Sequence, residues 1–189
     1  YYKEMIIDYI NKNHNEMKFT FITNEDYLDT NTSYSAYLCK DLLSLSDTLL
    51  MNGDVLYPPS LLKQVIDSEH DTVLAVDIKE CGDEEVKVIV DNNKRIVSIG
   101  KELDIENSLG EFIGVAKLSI PFCNSFSLSL SKLIDEGGKS EYFESAMAPL
   151  LHKNNVHFED ITHLPCIEID FNEDLQKANL LVKNKLYNI

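Results

Sequence analysis

The chain has 189 residues, of which 32 are acidic and 17 are basic, so its formal net charge is −15. Its 44% apolar and 26% charged residues are typical of a globular protein, and no apolar run is long enough to span a bilayer. Arg95 is the single arginine, and a chain this acidic repels nucleic-acid backbones. We therefore expect one α/β domain that binds neither nucleic acid nor membranes.

Glycine and cysteine usage excludes several common sites. The seven glycines are dispersed and form neither G-x-G-x-x-G nor G-x-x-x-x-G-K-[ST]. The four cysteines are far apart and include no C-x-x-C pair, which is typical of reduced thiols rather than of disulfides or a zinc site. Because no signal peptide is recognisable either, we expect a cytoplasmic location.

Helical and extended segments alternate along the first half of the chain. The apolar spacing predicts a helix over 3–12, a strand over 18–23, and a helix that Ser33 or Ser35 could cap. The next predicted elements are a buried parallel strand over 47–51, a helix over 61–66 after two prolines, and a buried strand over 72–78.

The second half continues the alternation. Segments 85–91 and 95–100 flank Asn92-Asn93, which predicts a hairpin. Further elements are a strand over 112–118, helices over 121–136 and 140–152, strands over 156–160 and 166–171, and a helix over 173–183. The order predicts a single Rossmann-like α/β domain, with a mostly parallel central sheet, helices on both faces and a small antiparallel addition.

Two aspartates follow apolar runs where ligands bind in open α/β sheets. Asp54 comes after LLMNG, and Asp170 closes the run CIEI. Ligands bind outside the carboxyl ends of parallel strands, and magnesium takes one or two carboxylates together with ligand phosphates. By pattern alone, capping of the following turn is the more common role for each aspartate.

Four motifs occur in this order along the chain: LLMNGDVLY, RIVSIGK, GEFIGVAKLS and IEIDFNEDLQKA. Together they resemble the nucleoside-triphosphate transferase family, and within it the small cytidylyltransferases acting on phosphocholine or aminoethylphosphonate. The resemblance extends over nearly the whole chain. It implies magnesium-dependent transfer of CMP from CTP to a small phosphorylated or phosphonate amine or alcohol, with release of pyrophosphate.

The resemblance also implies catalytic and metal-binding residues. Asp54 and Asp170 are similar to the family's two magnesium ligands, with Glu168 as a weaker candidate. Lys101 resembles the lysine that reaches the phosphate of the acceptor. Without the family context, a solvated lysine after a hairpin strand would be the better interpretation of Lys101.

Six further positions resemble substrate-binding residues: Asn31, Ser35, Glu111, Gly114, Tyr142 and Glu144. The first two lie in a turn near the nucleotide in relatives, although helix capping also explains them. The strand 110–114 resembles a substrate-pocket strand, and a purely structural bulge is equally compatible with its second glycine. An aromatic ring with a nearby carboxylate suits a cationic amine, but acids in the first turn of a helix also stabilise its dipole.

The chain departs from the family at its start. Relatives begin with a strand and a Gly-rich loop that carries an Arg and a Lys for the triphosphate, and these have no counterpart here. The domain over 1–189 is therefore predicted to lack its first strands, either as part of a longer protein, possibly fused to another enzyme, or as an inactive binding module. A sugar-1-phosphate nucleotidyltransferase is the alternative enzyme, and a homo-oligomer stays open.

Overall fold

The computed structural model describes residues 2–184. Helices and strands follow one another along this part of the chain, and the longest connection without either is residues 14–31. The α-helices are α1 (Lys3–Asn13), α2 (Thr32–Leu38), α3 (Lys40–Leu43), α4 (Pro59–Asp67), α5 (Ile120–Asp135), α6 (Glu144–Met147) and α7 (Asn172–Lys183). The strands are β1 (Thr48–Met51), β2 (Val55–Leu56), β3 (Val73–Asp77), β4 (Lys87–Val90), β5 (Ile96–Gly100), β6 (Gly110–Leu118), β7 (His157–Asp160) and β8 (Ile167–Glu168).

A six-stranded mixed sheet is built around β6, the longest strand. Its main path runs β5-β4-β6-β3-β7. Strand β4 pairs with the beginning of β6, and β1 pairs with its end, so the two strands share one edge of β6. Strands β2 and β8 form a separate antiparallel pair, which lies away from this path in the sheet order.

The directions of the strands correct one part of the sequence prediction. The α/β class, the mixed sheet and the helices on both faces are confirmed, but β3–β7 is the single parallel pair among the described strands. The segment 47–51 forms β1, which runs antiparallel to β6 rather than parallel. Burial on both faces makes a strand apolar throughout, and the resulting pattern does not record strand direction.

Two apolar clusters cover the two faces of the sheet. On one face, helix α5 contributes Phe122, Phe126 and Leu130 to the larger cluster, which also includes residues of α6 and β5. On the opposite face, Leu61 and Val65 of α4 pack against β3 and β6. The central sheet is thus buried between helical layers, which leaves the strand ends and the adjoining loops available for a site.

Several predicted elements differ from the structure. Of the predicted strand over 166–171, only Ile167–Glu168 pairs, as β8. Segment 18–23 has no regular secondary structure and pairs with no strand among residues 2–184, since strand pairing needs a neighbour that a local pattern does not specify. The predicted helix over 140–152 is broken into α6 and a 3-10 helix at Ala148–Lys153, which contains a proline. The cap of α2 is Asn31, whose side-chain oxygen accepts from the Thr32 amide, rather than a serine. Within the described residues, no helix is long and apolar enough to cross a membrane.

Candidate active site

Three carboxylates lie close together at one end of the β2–β8 pair, where β2 begins and β8 ends. Asp54 directly precedes β2, Glu168 is the last residue of β8, and Asp170 follows two positions later. Because β2 and β8 are antiparallel, the start of one lies beside the end of the other, and the Ile169 amide donates to the Asp54 carbonyl over 2.9 Å. One oxygen from each of the three carboxylates lies within 4.8 Å of the others.

The chemistry of this carboxylate cluster fits a hard divalent cation. Magnesium takes carboxylate oxygens and completes its shell with water and ligand phosphates, and all three side chains are exposed to a ligand. Burial, followed by the charges of Asp170 and Asp54, raises the pKa of Glu168 above its usual value. The three negative charges therefore repel one another, and a bound cation would relieve that repulsion. Glu168, weighed in the sequence only as a weaker candidate, is as well placed as the two aspartates.

Lys101 follows β5 and lies over the cleft between the acidic residues. Its Nζ is 3.5 Å from Glu84 and 4.7 Å from the centre of the Tyr142 ring. Burial lowers the pKa of Lys101, but Tyr142 and Glu84 raise it more, so its pKa is above the ordinary lysine value. Lys101 is therefore a fixed positive charge that can face an anion.

A second ion pair lies on adjacent strands at the same end of the sheet. Glu111 on β6 is the register partner of Asp77 on β3. The Lys79 ammonium lies 2.7 Å from Glu111 and 3.8 Å from Asp77. This arrangement holds Glu111 at the cleft wall and leaves the second lysine of the site partly neutralised.

The segment from Tyr142 to Glu144 is anchored by its middle residue. Phe143 is buried, and its ring meets Phe112 edge-on at a centroid distance of 6.3 Å. The Phe143 amide also donates to the Thr32 hydroxyl at the start of α2 over 3.0 Å. These contacts direct the side chains on either side of Phe143 into the cleft.

Glu144 is the most unusual charge of the cleft. Its side chain is only 5% exposed, and its Oε2 has no hydrogen-bond partner among the described residues. Burial is the main reason why the pKa of Glu144 is raised to about 7, while Lys101 partly opposes this effect. A buried carboxyl oxygen without a partner is costly, and a ligand that donates to Oε2 or carries a positive charge would satisfy it.

These groups line one cleft of about 950 Å³. It brings together seven of the nine residues predicted from the sequence, which are Asn31, Asp54, Lys101, Glu111, Tyr142, Glu144 and Asp170. Ser35 and Gly114 are not among its lining residues. The Ser35 hydroxyl instead accepts from the Asn24 side chain over 3.2 Å, on the exposed side of α2.

Gly114 supports the cleft indirectly. Its φ is +76°, and a Cβ at this position would lie 2.3 Å from the Asn52 side chain, which itself lines the cleft. The Asn52 amide donates to the Gly114 carbonyl over 2.8 Å. A register shift between β3 and β6 at this place marks a bulge. Glycine at this position lets Asn52 lie against β6, so the bulge helps to place a side chain that lines the cleft.

Sequence reasoning missed several residues of the cleft, notably Asn52, Asp77, Lys79 and Glu84. Asp77 ends a buried strand in the same way as Asp54 and Asp170 follow theirs, so the same pattern could have found it. Lys79 and Glu84 lie in loops that only the folded chain brings to the cleft.

Comparison with known proteins shows which fold the chain has. No family model and no curated protein sequence matches the chain. Among solved structures, the CTP:phosphocholine cytidylyltransferase of Streptococcus pneumoniae aligns at 16% identity with a TM-score of 0.72, over 95% of this chain and 74% of its own. The inositol-1-phosphate CTP transferase of T. maritima aligns at 22% identity with a TM-score of 0.71, over 97% of this chain and 73% of its own. The chain has the nucleotidyltransferase fold.

A UDP-glucose pyrophosphorylase shares the fold as well, at 13% identity and a TM-score of 0.72, over 97% of this chain and 73% of its own. The fold class expected from the four sequence motifs is thus confirmed. Cytidylyl and sugar-nucleotide enzymes are both among the neighbours, so the overall backbone does not distinguish between their substrates.

Proposed function

We propose that the protein is a magnesium-dependent cytidylyltransferase that transfers CMP from CTP to a small phosphorylated or phosphonate amine or alcohol, such as phosphocholine or 2-aminoethylphosphonate. One observation carries the proposal. The cluster of Asp54, Glu168 and Asp170 lines the same cleft as the buried carboxyl group of Glu144, whose Oε2 has no hydrogen-bond partner among the described residues, and Lys101 lies in the same cleft. The cleft therefore offers a cation site, an anion-facing ammonium group and a receptor for an amine.

The reaction joins two anions without a covalent enzyme intermediate. An oxygen of the acceptor phosphate or phosphonate forms a bond to the α-phosphorus of CTP, and the bond from that phosphorus to the bridging oxygen of the β-phosphate breaks. Pyrophosphate leaves with both electrons of that bond. Alignment of the two anions and neutralisation of their charge are the main requirements.

Each requirement is assigned to residues of the cleft. Asp54 and Asp170, with Glu168, would hold a magnesium ion, which when bound supplies charge neutralisation and Lewis-acid polarisation of phosphate oxygens. Lys101 faces the acceptor phosphate and offsets its charge. Glu111, held by Lys79, orients polar groups of the acceptor at the cleft wall, and Asn31 at the start of α2 does so for the nucleotide.

The overall charge of the cleft favours an acceptor whose phosphate or phosphonate is joined to a cationic amine group. Its lining includes eight acidic side chains and two lysines. A neutral sugar would leave the buried carboxyl group of Glu144 without a charge partner. An amine or quaternary ammonium group could instead lie against the Tyr142 ring and beside Glu144, where it would stabilise the ionised carboxylate.

Two other functions are separated from this one by experiment. A sugar-1-phosphate nucleotidyltransferase would use the same carboxylates and the same lysine with a different acceptor, and a UDP-glucose pyrophosphorylase shares the fold. An inactive binding module would retain acceptor or metal binding without turnover. We favour an enzyme, because binding alone gives no reason to keep a carboxylate cluster and an opposed lysine in one cleft.

The triphosphate is proposed to meet polypeptide outside residues 1–189. The acidic cleft offers few positive charges to a triphosphate, and the fold neighbours are longer than this chain. A groove of about 630 Å³, which we call the α1 groove, lies between α1 and segment 18–23. Phe21 and Ile22 are each about 40% exposed there. A further strand that carries basic residues could pair with this segment, in the same polypeptide or in a fused enzyme of the cytoplasm.

The experiment is a substrate panel on the natural protein that contains this chain. CTP, UTP and dTTP are each combined with phosphocholine, 2-aminoethylphosphonate and glucose-1-phosphate, and pyrophosphate is measured with and without magnesium. We expect magnesium-dependent release with CTP and an amine-bearing acceptor. Turnover with glucose-1-phosphate alone would support the sugar enzyme, and binding without turnover for every pair would support the inactive module.

A further inference from the structure

One lysine is almost completely buried at the edge of the cleft. Lys87 is the first residue of β4 and only 1% exposed, which makes it one of the largest fully buried side chains among the described residues. Burying a lysine is costly unless its ammonium group finds acceptors for its hydrogens. The surroundings of Lys87 therefore have to compensate for that cost.

Three backbone carbonyls supply the compensation. The Lys87 Nζ donates to the carbonyls of Asp83 and Glu85, each over 3.3 Å, and to that of Lys101 over 2.6 Å. An ammonium group has three N–H donors, so all three can be used at once. In the described part of the chain, no carboxylate lies within ion-pair distance of Lys87, so these backbone dipoles alone receive the charge.

These carbonyls belong to two loops whose side chains form the rim of the cleft. Glu84 and Glu85 on one loop and Lys101 on the other all line the cleft, and the Lys101 ammonium pairs with Glu84 over 3.5 Å. In the sheet, Lys87 is the register partner of Gly100 on β5 and of Glu111 on β6. Lys87 thus ties together the backbones from which the exposed charges of the rim project.

We propose that Lys87 is a positioning residue, which fixes Lys101 over the cleft by binding the backbones of loop 83–85 and residue 101 to each other. The role rests on the proposed function, since Lys101 faces the acceptor phosphate there. Lys87 does not line the cleft, so it acts only through Lys101. Loss of its three hydrogen bonds would let the two loops separate and weaken acceptor binding more than nucleotide binding.

A second lysine, Lys117, is a control for the loss of hydrogen bonds from an ammonium group to backbone carbonyls. Lys117 lies on β6, and its ammonium group donates to the carbonyls of Ile66 and Ser68 over 3.2 and 2.8 Å, which holds the end of α4. It lies six residues beyond Glu111, about 20 Å along the strand, and does not line the cleft. Lys87→Met and Lys117→Met therefore remove the same kind of contact at two distant places.

The first measurement is hydrogen exchange, which needs no substrate. In Lys87→Met we expect faster exchange at the amides of residues 82–86 and 101–104, and in Lys117→Met we expect unchanged exchange there. The second measurement is the kinetics of the natural protein with CTP and phosphocholine. Lys87→Met should raise the KM for phosphocholine about ten- to hundredfold, with a smaller change in the KM for CTP.

A double variant separates positioning from a general loss of stability. If Lys87 acts through Lys101, adding Lys87→Met to Lys101→Met should change the KM for phosphocholine by less than about threefold. Additive effects of the two substitutions would contradict the proposal. Unchanged exchange at both loops, or equal effects of Lys87→Met and Lys117→Met on the KM, would also overturn it.

The remaining outcomes distinguish this proposal from the proposed function. Lys87→Gln, which keeps an amide donor, replaces Lys87→Met if the latter does not fold. Failure of both to fold while Lys117→Met folds would assign Lys87 to stability alone. If the parent protein releases no pyrophosphate but the loops still loosen in Lys87→Met, the proposed function fails and the contact role stands. If it is active and Lys87→Met keeps its KM for phosphocholine, the positioning role fails alone.

Discussion

The acidic cleft and the α1 groove differ in how their side chains are held. In the cleft, ion pairs such as Lys79–Glu111 at 2.7 Å and the pairing of β2 with β8 fix the charged groups. In the α1 groove, α1 has no buried residue, and segment 18–23 presents phenylalanine and isoleucine side chains to solvent. The cleft is therefore a polar site formed by many charged groups, whereas the α1 groove combines exposed apolar side chains with the Lys3–Glu25 ion pair at 2.6 Å.

The largest effect is expected in the acidic cleft, when a charge is removed from the carboxylate cluster. Asp54→Asn keeps the size of the side chain but removes one of three negative charges just before β2, and Asp170→Asn does the same just after β8. We expect each to lower magnesium-dependent pyrophosphate release by about a hundredfold or more. Asp41→Asn, an exposed change on α3, is the control. Full activity in either cluster variant would remove that residue from the mechanism.

The second test uses the pH dependence of stability. The pKa of Glu144 is about 7 in the folded protein and near the ordinary 4.5 in the unfolded chain, so the folded state binds the proton more tightly. The free energy of unfolding should therefore fall as the pH rises from about 4.5 to 7. Glu144→Gln should remove this loss and be more stable than the parent at pH 8, by about 3 kcal/mol at most.

Urea unfolding at pH 4.5, 6 and 8 measures the effect. Glu141→Gln, which removes an exposed carboxylate three residues earlier, is the control. If the stability difference between Glu144→Gln and the parent is the same at all three values, Glu144 is not the buried acid described above.

A third and smaller effect concerns the bulge beneath the cleft. Gly114→Ala places a Cβ against Asn52 at a φ of +76°, so it should destabilise the fold by about 2 kcal/mol. At Gly53 a Cβ would meet nothing within 4 Å, which makes Gly53→Ala the control. Urea unfolding of both variants gives the comparison, and equal midpoints would show that the close approach of Asn52 carries no cost.

The smallest effect is expected in the α1 groove. Phe21 is 41% exposed, so Phe21→Ser should cost about 1 kcal/mol or less in residues 1–189. If further polypeptide covers the groove in the natural protein, the same substitution should cost clearly more there, about 2–3 kcal/mol. Leu128→Ser, on the exposed side of α5, should cost equally little in both. Equal costs for Phe21→Ser in the two proteins would show that the groove is uncovered.

Local signals explain which parts of the fold the sequence could predict. Asn92-Asn93 and the flanking apolar runs encode the β4–β5 hairpin, and the spacing within 121–136 encodes α5, because both depend on neighbours in the chain. Strand direction and the two-residue pair β2–β8 depend on distant partners. Segment 18–23 has a strand composition, yet composition does not supply the strand beside it.

The site divides in the same way. Asp54 and Asp170 lie at chain positions that a strand-end rule and a family resemblance both indicate, and the structure brings them together. Lys79 and Lys87 look like ordinary polar residues in or near strands, and only the folded chain reveals that Lys79 pairs with Glu111 on the neighbouring strand and that Lys87 is buried. The pKa of Glu144 likewise depends on burial that its polar sequence neighbours do not predict.

Transfer at the α-phosphorus of CTP is tested most directly by ³¹P NMR of the reaction products. The natural protein is incubated with CTP, phosphocholine and magnesium, and the spectrum is followed over time. We expect equal amounts of pyrophosphate and of a diphosphate diester that joins CMP to phosphocholine. Inorganic phosphate and CDP in their place, or an unchanged spectrum while phosphocholine binds, would contradict it.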